Sequence, residues 1–231
     1  MTATLYQYEL SPFCDKVRRA LRLKAIPFRT VEISLLDTLR GKLKTLSPAA
    51  KLPVLELDGA KLADSSDILR WLDEHYPAPR LIPADPKEQA LAHFLEDWAD
   101  ESLYFVEMHL RFTLPHNAVR WVGEAAAHDN PVMQRVAQTV MPLAMRRTTE
   151  AQGLGRKPLG VILRDLEQHL RMLEQWLDGR EWLAGERISV ADLAVYAQLN
   201  CIAGATEGYQ ILTLHPTVRA WMDRVDGASR G

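Results

Sequence analysis

The spacing of apolar residues changes character along this chain. Thr4 to Tyr8 alternates and is rich in β-formers, which predicts a short strand. Behind it Val17, Leu21 and the Ala20/Leu23 pair fall at three-to-four spacing, the period of a helix face. Ser11 followed by Pro12 is what a helix start prefers: a capping hydroxyl, then a ring already set at the helical φ. Pro27 to Ile33 reads as a second strand, so the opening is a βαβ unit. Leu39 to Leu46 predicts a short amphipathic helix, and Leu52 to Leu57 alternates as a third strand. Asp58-Gly59 is a hairpin signal, and Lys61 to Ala63 opens the fourth strand. Ser65 or Ser66 is expected to cap a helix over Asp67 to His75, ended by Tyr76-Pro77. The order βαβ, α, ββα fits a small four-stranded α/β sandwich.

Prolines 77, 79, 83 and 86 then punctuate the chain and read as a linker. Beyond them no strand pattern stands out. Helices are expected over Gln89 to Leu114, over Pro131 to Arg147 with a break or bend near Pro142, over Ser189 to Leu199, and over Pro216 to Val225. Leu163, Leu166, Leu170, Leu173 and Leu177 step by three and four, a further apolar helix stripe. The expected division is a domain at 1–78, a linker at 79–86 and an all-helical domain at 87–231.

Composition excludes more than it selects. The 231 residues are 47% hydrophobic and 25% charged, ordinary for a globular protein. A net charge of −2 offers no bulk attraction to nucleic acid or to an anionic membrane. No stretch of about 18 apolar residues is present, and the start lacks a basic segment followed by an apolar run. Two widely separated cysteines, Cys14 and Cys201, make no disulfide framework and fit a reducing compartment. The cytoplasm is the expected location. The seven histidines show no metal-ligand spacing, so no metal is expected. Arg18-Arg19 and Arg146-Arg147 sit among acids and read as solvated faces or local ion pairs.

Three short segments carry chemistry. Ser11-Pro12-Phe13-Cys14 lies at a helix N-terminus, whose free N–H groups and positive dipole end stabilise a thiolate. Either Ser11 or Cys14 could act there, and a plain helix cap is the simpler reading. Lys51-Leu52-Pro53-Val54 starts a strand with proline. A cis bond there would turn the Leu52 backbone outward as a rung for a peptide ligand. Asp64-Ser65-Ser66-Asp67 combines a hydroxyl and free N–H groups, which suit a carboxylate, with an acid that could hold an ammonium. Capping alone would also explain it.

In this order and spacing the three segments resemble the glutathione transferase superfamily. Ser11-Pro12-Phe13 followed by Lys16-Val17-Arg18 and Ala20-Leu21 is similar to the tau-class serine start; omega-class relatives carry cysteine at the position of Ser11. Leu46 to Leu55 resembles the family segment that ends in a cis-proline, and Asp64-Ser65 its acid–serine signature. Ser189-Val190-Ala191-Asp192 resembles the family's capping box, a folding element, and His215-Pro216 to Val225 its last helix. The likeness covers nearly the whole chain outside roughly 112–160. There, Arg146-Arg147 and Gln152 to Arg156 are similar to a segment of metaxin-like branches.

The resemblance implies a thioredoxin-like N-terminal domain followed by an α-helical glutathione-transferase C-terminal domain. It implies glutathione as co-substrate, with no other cofactor. Lys51 would contact the glycine carboxylate, the Leu52 backbone before Pro53 the cysteinyl part, Asp64 the γ-glutamyl ammonium and Ser65 its carboxylate, with Phe13 alongside. Ser11 would donate to the sulfur and lower its pKa. A small hydrophobic electrophile would sit against Tyr104, Met108, Arg111 and Phe112, a set whose spacing also fits plain core packing. A homodimer is expected by analogy. The alternatives are a thiol–disulfide reductase using Cys14, and an adaptor of the same fold that binds a protein partner with little catalysis.

Overall fold

The computed structural model describes residues 3–231. Its N-terminal part is a four-stranded mixed sheet in the order β2-β1-β3-β4. The strands are β1 (Ala3–Gln7), β2 (Phe28–Glu32), β3 (Val54–Leu57) and β4 (Ala60–Ala63). Strand β1 pairs parallel with β2 (Leu5 opposite Thr30) and antiparallel with β3 (Leu5 opposite Leu55), and β3–β4 is the expected hairpin. Helix α1 (Pro12–Leu23) makes the crossover between β1 and β2, and α4 (Ser65–His75) closes the unit. The helix expected over Leu39 to Leu46 is instead two short ones, α2 (Leu35–Leu39) and α3 (Lys42–Leu46). They divide at Gly41, which adopts φ +82°, a conformation that costs glycine no Cβ clash.

The C-terminal part is all helical: α5 (Pro86–Trp98), α6 (Tyr104–Phe112), α7 (Pro115–Ala125), α8 (Pro131–Gln152), α9 (Leu159–Leu177), α10 (Val190–Ala203), α11 (Thr206–Leu212) and α12 (Pro216–Ser229). The single helix expected over Gln89 to Leu114 is α5 and α6 joined by a π-turn at Ala99–Leu103. Helices α7 and α11 were not foreseen, and α8 runs through Pro142 as far as Gln152. The five-leucine stripe holds with one shift. Ile162 rather than Leu163 is the first fully buried position of α9, followed by Leu166, Leu170, Leu173 and Leu177. Burying each such side chain contributes about 1.5–3 kcal/mol.

One apolar core joins the two parts. It runs from Leu5, Leu21 and Leu72 to Leu103, Leu166, Leu193 and Trp221. Helix α1 packs on α10 and α12. Arg19 reinforces this contact. It is buried and donates to Asp15 (2.8 Å), Asp226 (2.9 Å), Ser229 (2.8 Å) and Tyr196 (3.2 Å), so the local ion pair expected of Arg18-Arg19 is present at Asp15, and beyond it Arg19 is not a solvated residue but an interdomain clamp.

The segment between α4 and α5 has no regular structure, yet it is tied down. Asp73 accepts the N–H groups of Leu81 (2.7 Å) and Ile82 (3.1 Å), and Lys24 donates to Asp73 (2.8 Å) and to the Tyr76 and Pro79 carbonyls. Leu81 is 1% exposed. No described helix is long and apolar enough to cross a membrane.

The Ser189–Asp192 cap is present, and it reaches further than local spacing indicates. Asp192 is fully buried and accepts from Ser189 N (2.9 Å) and Oγ (2.8 Å), Leu183 N (2.9 Å) and Trp221 Nε1 (2.9 Å). It therefore fastens the start of α10 to the loop before it and to α12.

Candidate functional site

Between the sheet and the first helices of the C-terminal part lies a cleft of about 1060 Å³. Ser11, Phe13, Lys51, Leu52, Pro53, Asp64, Ser65, Tyr104, Met108, Arg111 and Phe112 all line it. Residues as much as 101 positions apart in sequence thus meet in one hollow, which the protein's own side chains leave open. Cys14 alone among the expected site residues is elsewhere.

Ser11 stands at the mouth of α1. Its backbone is extended (ψ 125°), and its Oγ accepts the Cys14 N–H at 3.4 Å. The hydroxyl's lone pair is therefore engaged by the helix, while its proton stays free to be donated into the cleft. Cys14, one turn on, does not line the cleft. It is 0% exposed, and burial pushes its thiol up to about 11 despite the Ser11 interaction. A nucleophilic cysteine needs exposure and a depressed pKa, so the reductase alternative through Cys14 does not fit this geometry. Cys201, the other thiol, packs against the Leu10 carbonyl (3.9 Å).

The peptide bond Leu52–Pro53 is cis. Strand β3 begins only at Val54, so the Leu52 N–H and C=O take no partner in the sheet among the described residues. They form an open rung along the cleft. Lys51, beside it, is exposed and makes no ion pair among the described residues.

At the other end Asp64, not Ser65 or Ser66, caps α4. Its Oδ1 accepts the N–H groups of Ser66 (2.9 Å) and Asp67 (3.2 Å). Asp64 has φ +77°, and that turn sets Ser65 at the first helical position. The N–H there has no intrahelical acceptor. A carboxylate oxygen, a hydroxyl and a free N–H thus stand within two consecutive residues.

Behind this end lies a buried network that local spacing did not reveal. Lys16 reaches Ser66 (3.2 Å), Glu96 (3.0 Å) and Asp100 (2.6 Å), and Ser66 donates to Glu96 (2.8 Å). Burial opposes the Lys16 charge, but Asp100 and Glu96 together raise its pKa and keep it an ammonium. Burial works against the charged form of Glu96 too, yet Lys16 and Ser66 hold its pKa below the usual carboxylate value; Asp100 is shifted upward by burial. Two carboxylates share one ammonium, which leaves this end of the cleft net acidic.

The opposite half is apolar. Tyr104 stands edge-on to Phe13, with ring centroids 4.9 Å apart, and burial raises its hydroxyl pKa so that it stays protonated. Met108, Phe112, Met141 and Met145 continue the wall. Arg111 is 1% exposed, held by Glu107 (3.0 Å) and sandwiched over Trp121 (4.1 Å) and Phe112 (4.9 Å). Its Nε finds no acceptor among the described residues. Burial pushes the Glu107 carboxyl up.

Residues from 112–160 that carried no site expectation complete this half: Glu124, Ala125, Ala127, His128, Met141 and Met145. Asp129, in the loop between α7 and α8, ties this region to the N-terminal domain, accepting the N–H groups of Leu35 and Leu36 at 2.9 Å each. Helix α7 is seated by Trp121, whose indole donates to the Gly204 carbonyl at 3.0 Å. A Cβ at residue 204 would lie 2.4 Å from that ring, so glycine is needed for the approach.

Comparison with known proteins agrees with this layout. A family model described as glutathione S-transferase, N-terminal domain, matches residues 5–80, and one described as glutathione S-transferase, C-terminal domain, matches residues 162–227. The chain belongs to the glutathione transferase superfamily. Both models describe the superfamily as a whole and leave the tau-like character of the Ser11 start open. Maleylacetoacetate isomerase of Rattus norvegicus is 36% identical over 141 residues, 58% of this chain and 65% of that protein. The aligned part therefore spans less than two thirds of that relative's length. FtsZ-localized protein A of Caulobacter vibrioides is 28% identical over 203 residues, 86% of this chain and 76% of that protein. Beta-etherase LigF of Sphingobium sp. strain SYK-6 superposes with a TM-score of 0.70, covering 98% of this transferase-superfamily chain and 95% of that one, at 22% identity. That likeness is one of fold.

Proposed function

We propose that this superfamily member binds glutathione along the N-terminal domain and activates its thiol for attack on a small hydrophobic electrophile. The observation that carries the reading is the Ser11 hydroxyl at the start of α1, which donates to no described acceptor and lines the same cleft as the open Leu52 rung. A γ-glutamyl group would meet Asp64 through its ammonium and Ser65 through its carboxylate. The cysteinyl backbone would pair with Leu52 before Pro53, beside Phe13. Lys51 would hold the glycine carboxylate by a charge-assisted bond. The sulfur then comes to Ser11, and the hydroxyl and the helix N-terminus together favour the thiolate.

The electrophile would lie against Tyr104, Met108 and Phe112, with Met141 and Met145 as adaptable walls. The protein supplies positioning and thiol activation. Domains divided at 79–86 and a twofold homodimer belong to the same proposal, as does the tau-like serine chemistry.

A second reading, glutathione-dependent isomerisation, is favoured by Arg111. Arg111 lines the cleft, and a guanidinium there suits a substrate that carries a carbonyl or carboxylate oxygen. In both readings the first step is thiolate addition. The test is protein-dependent consumption of glutathione by a chloronitroarene, beside isomerisation of an unsaturated dicarboxylic acid at catalytic glutathione. Conjugation supports the first reading and isomerisation the second. A protein that binds glutathione but turns over neither substrate is an adaptor, and the proposal fails.

A further inference from the structure

Helix α8 has two apolar faces. The inner one carries Ala137, which is buried, and Met141 and Met145 on the cleft. The outer one carries Val132, Val136, Val140 and Leu143, which are 73%, 44%, 54% and 57% exposed. At the helical repeat these four fall within an arc of about 80° and span roughly 16 Å. Single exposed apolar residues are ordinary; a continuous stripe of four on one helix face marks an interaction site.

The charge beside the stripe is one-sided. Arg135 and Arg146 border it and Arg147 extends it, all exposed. The only acid of α8 is Glu150, and it is paired with Arg146 at 2.8 Å. Arg135 and Arg147 make no ion pair among the described residues. If two copies of this chain met stripe to stripe, both unpaired arginines of each would enter the same seam. Like charges brought together in this way oppose association.

We propose that the outer face of α8 docks an amphipathic helix of another protein, one whose apolar stripe is bordered by aspartate or glutamate. A helical ridge fits along a helical stripe, and anchors at i, i+4, i+8 and i+11 would follow Val132, Val136, Val140 and Leu143. Acidic neighbours would pair with Arg135 and Arg147. The surface lies on the side of α8 away from the cleft, so this inference stands apart from the glutathione reading.

The test uses the full chain and a fluorescent synthetic helix-forming peptide with leucine at those four spacings and glutamate beside them. A twin peptide carries lysine in place of glutamate. The glutamate peptide is expected to bind about tenfold more tightly than its twin at low salt, with the difference shrinking as salt is added. V136S/V140S should weaken binding about tenfold, and R135E/R147E should reverse the preference between the two peptides. Glutathione binding should be the same in all three proteins. Absence of binding by the glutamate peptide, equal binding of the twins, or indifference to both double variants would overturn the proposal. Sedimentation supplies a separate check: if V136S/V140S turns a dimer into a monomer, a second copy covers this face and the proposal is wrong.

Discussion

Ser11→Ala removes two interactions at once, and their sizes can be worked separately. The first is the cap on α1. An N-cap hydroxyl contributes roughly 0.5–2 kcal/mol, and at 3.4 Å the Ser11–Cys14 bond is longer than an ordinary N–H···O bond. A loss of about 0.5–1 kcal/mol of folding stability is expected. The second is the donor to the glutathione thiolate. One pKa unit corresponds to about 1.4 kcal/mol, close to the net worth of one hydrogen bond to a charged group. The helix N-terminus remains in the variant, so the bound thiol should rise by about one unit and not return to its value in water. At pH values below the parent's thiol pKa, conjugation should then fall about tenfold. Above the variant's raised pKa both proteins hold the thiolate, and the two rates should converge. Ser11→Asp keeps a capping oxygen but has no proton to donate and sets a negative charge beside the sulfur, so it should recover stability but not rate, and Ser11→Thr should recover both. The assay is the pH–rate profile of conjugation read beside urea unfolding. An alanine variant that loses stability while its profile superimposes on the parent's would make Ser11 a cap and nothing more.

Cys14, with a thiol pKa of about 11, should be roughly 0.03% thiolate at pH 7.5. Iodoacetamide should label it only on unfolding, and Cys14→Ala should retain conjugation; rapid labelling of the native protein would restore the thiol mechanism. Asp192→Ala strips four hydrogen bonds from a buried carboxylate. It should cost roughly 2–4 kcal/mol by denaturant unfolding, and a loss near zero would mean the cap is dispensable. Asp226 titrates below its ordinary value: burial pushes it up, but Arg19 and Tyr196 outweigh burial. Because its folded pKa is depressed, its stabilising effect is present above about pH 4 and lost as pH falls through the folded value. Asp226→Asn should therefore lower stability at neutral pH and flatten the acid limb of the stability curve, which a pH series of unfolding midpoints reads.

Local pairings were legible in the sequence, and long-range ones were not. Ser11-Pro12, Asp58-Gly59 and Ser189-x-x-Asp192 each act within a few residues, so their residue types were enough to place a helix start, a hairpin and a cap. The leucines of α9 were legible because one buried face repeats over about four turns. Family likeness then brought Lys51, Asp64 and Ser65 to one site, and the fold does the same. Lys16 and Arg19 read as ordinary members of a charged helix. What makes them interdomain ties are Asp100 and Asp226, which lie 84 and 207 residues away. Helix α7 was locally legible, since Pro115 can open a helix and Ala118, Trp121, Val122 and Ala125 recur at three-to-four spacing; what the sequence hid is the meeting of Trp121 with the bare backbone of Gly204, 83 residues away. The cap of α4 fell on Asp64 because φ at that residue is positive, which residue type alone does not announce. The wall from 112–160 was unreadable because it too is long-range: Met141 and Met145 lie on α8 and join the site only when α8 packs against α6.

The central claim is that a γ-glutamyl tripeptide thiol lies along the cleft between Asp64 and Lys51, and calorimetric titration with glutathione tests it most directly. One saturable site per chain is expected. Lys51→Ala should weaken it about tenfold, the worth of one charge-assisted bond, and S-methylglutathione should still bind. A folded parent protein that takes up no heat from millimolar glutathione, or binds it unchanged in Lys51→Ala and Ser65→Ala, would contradict the account.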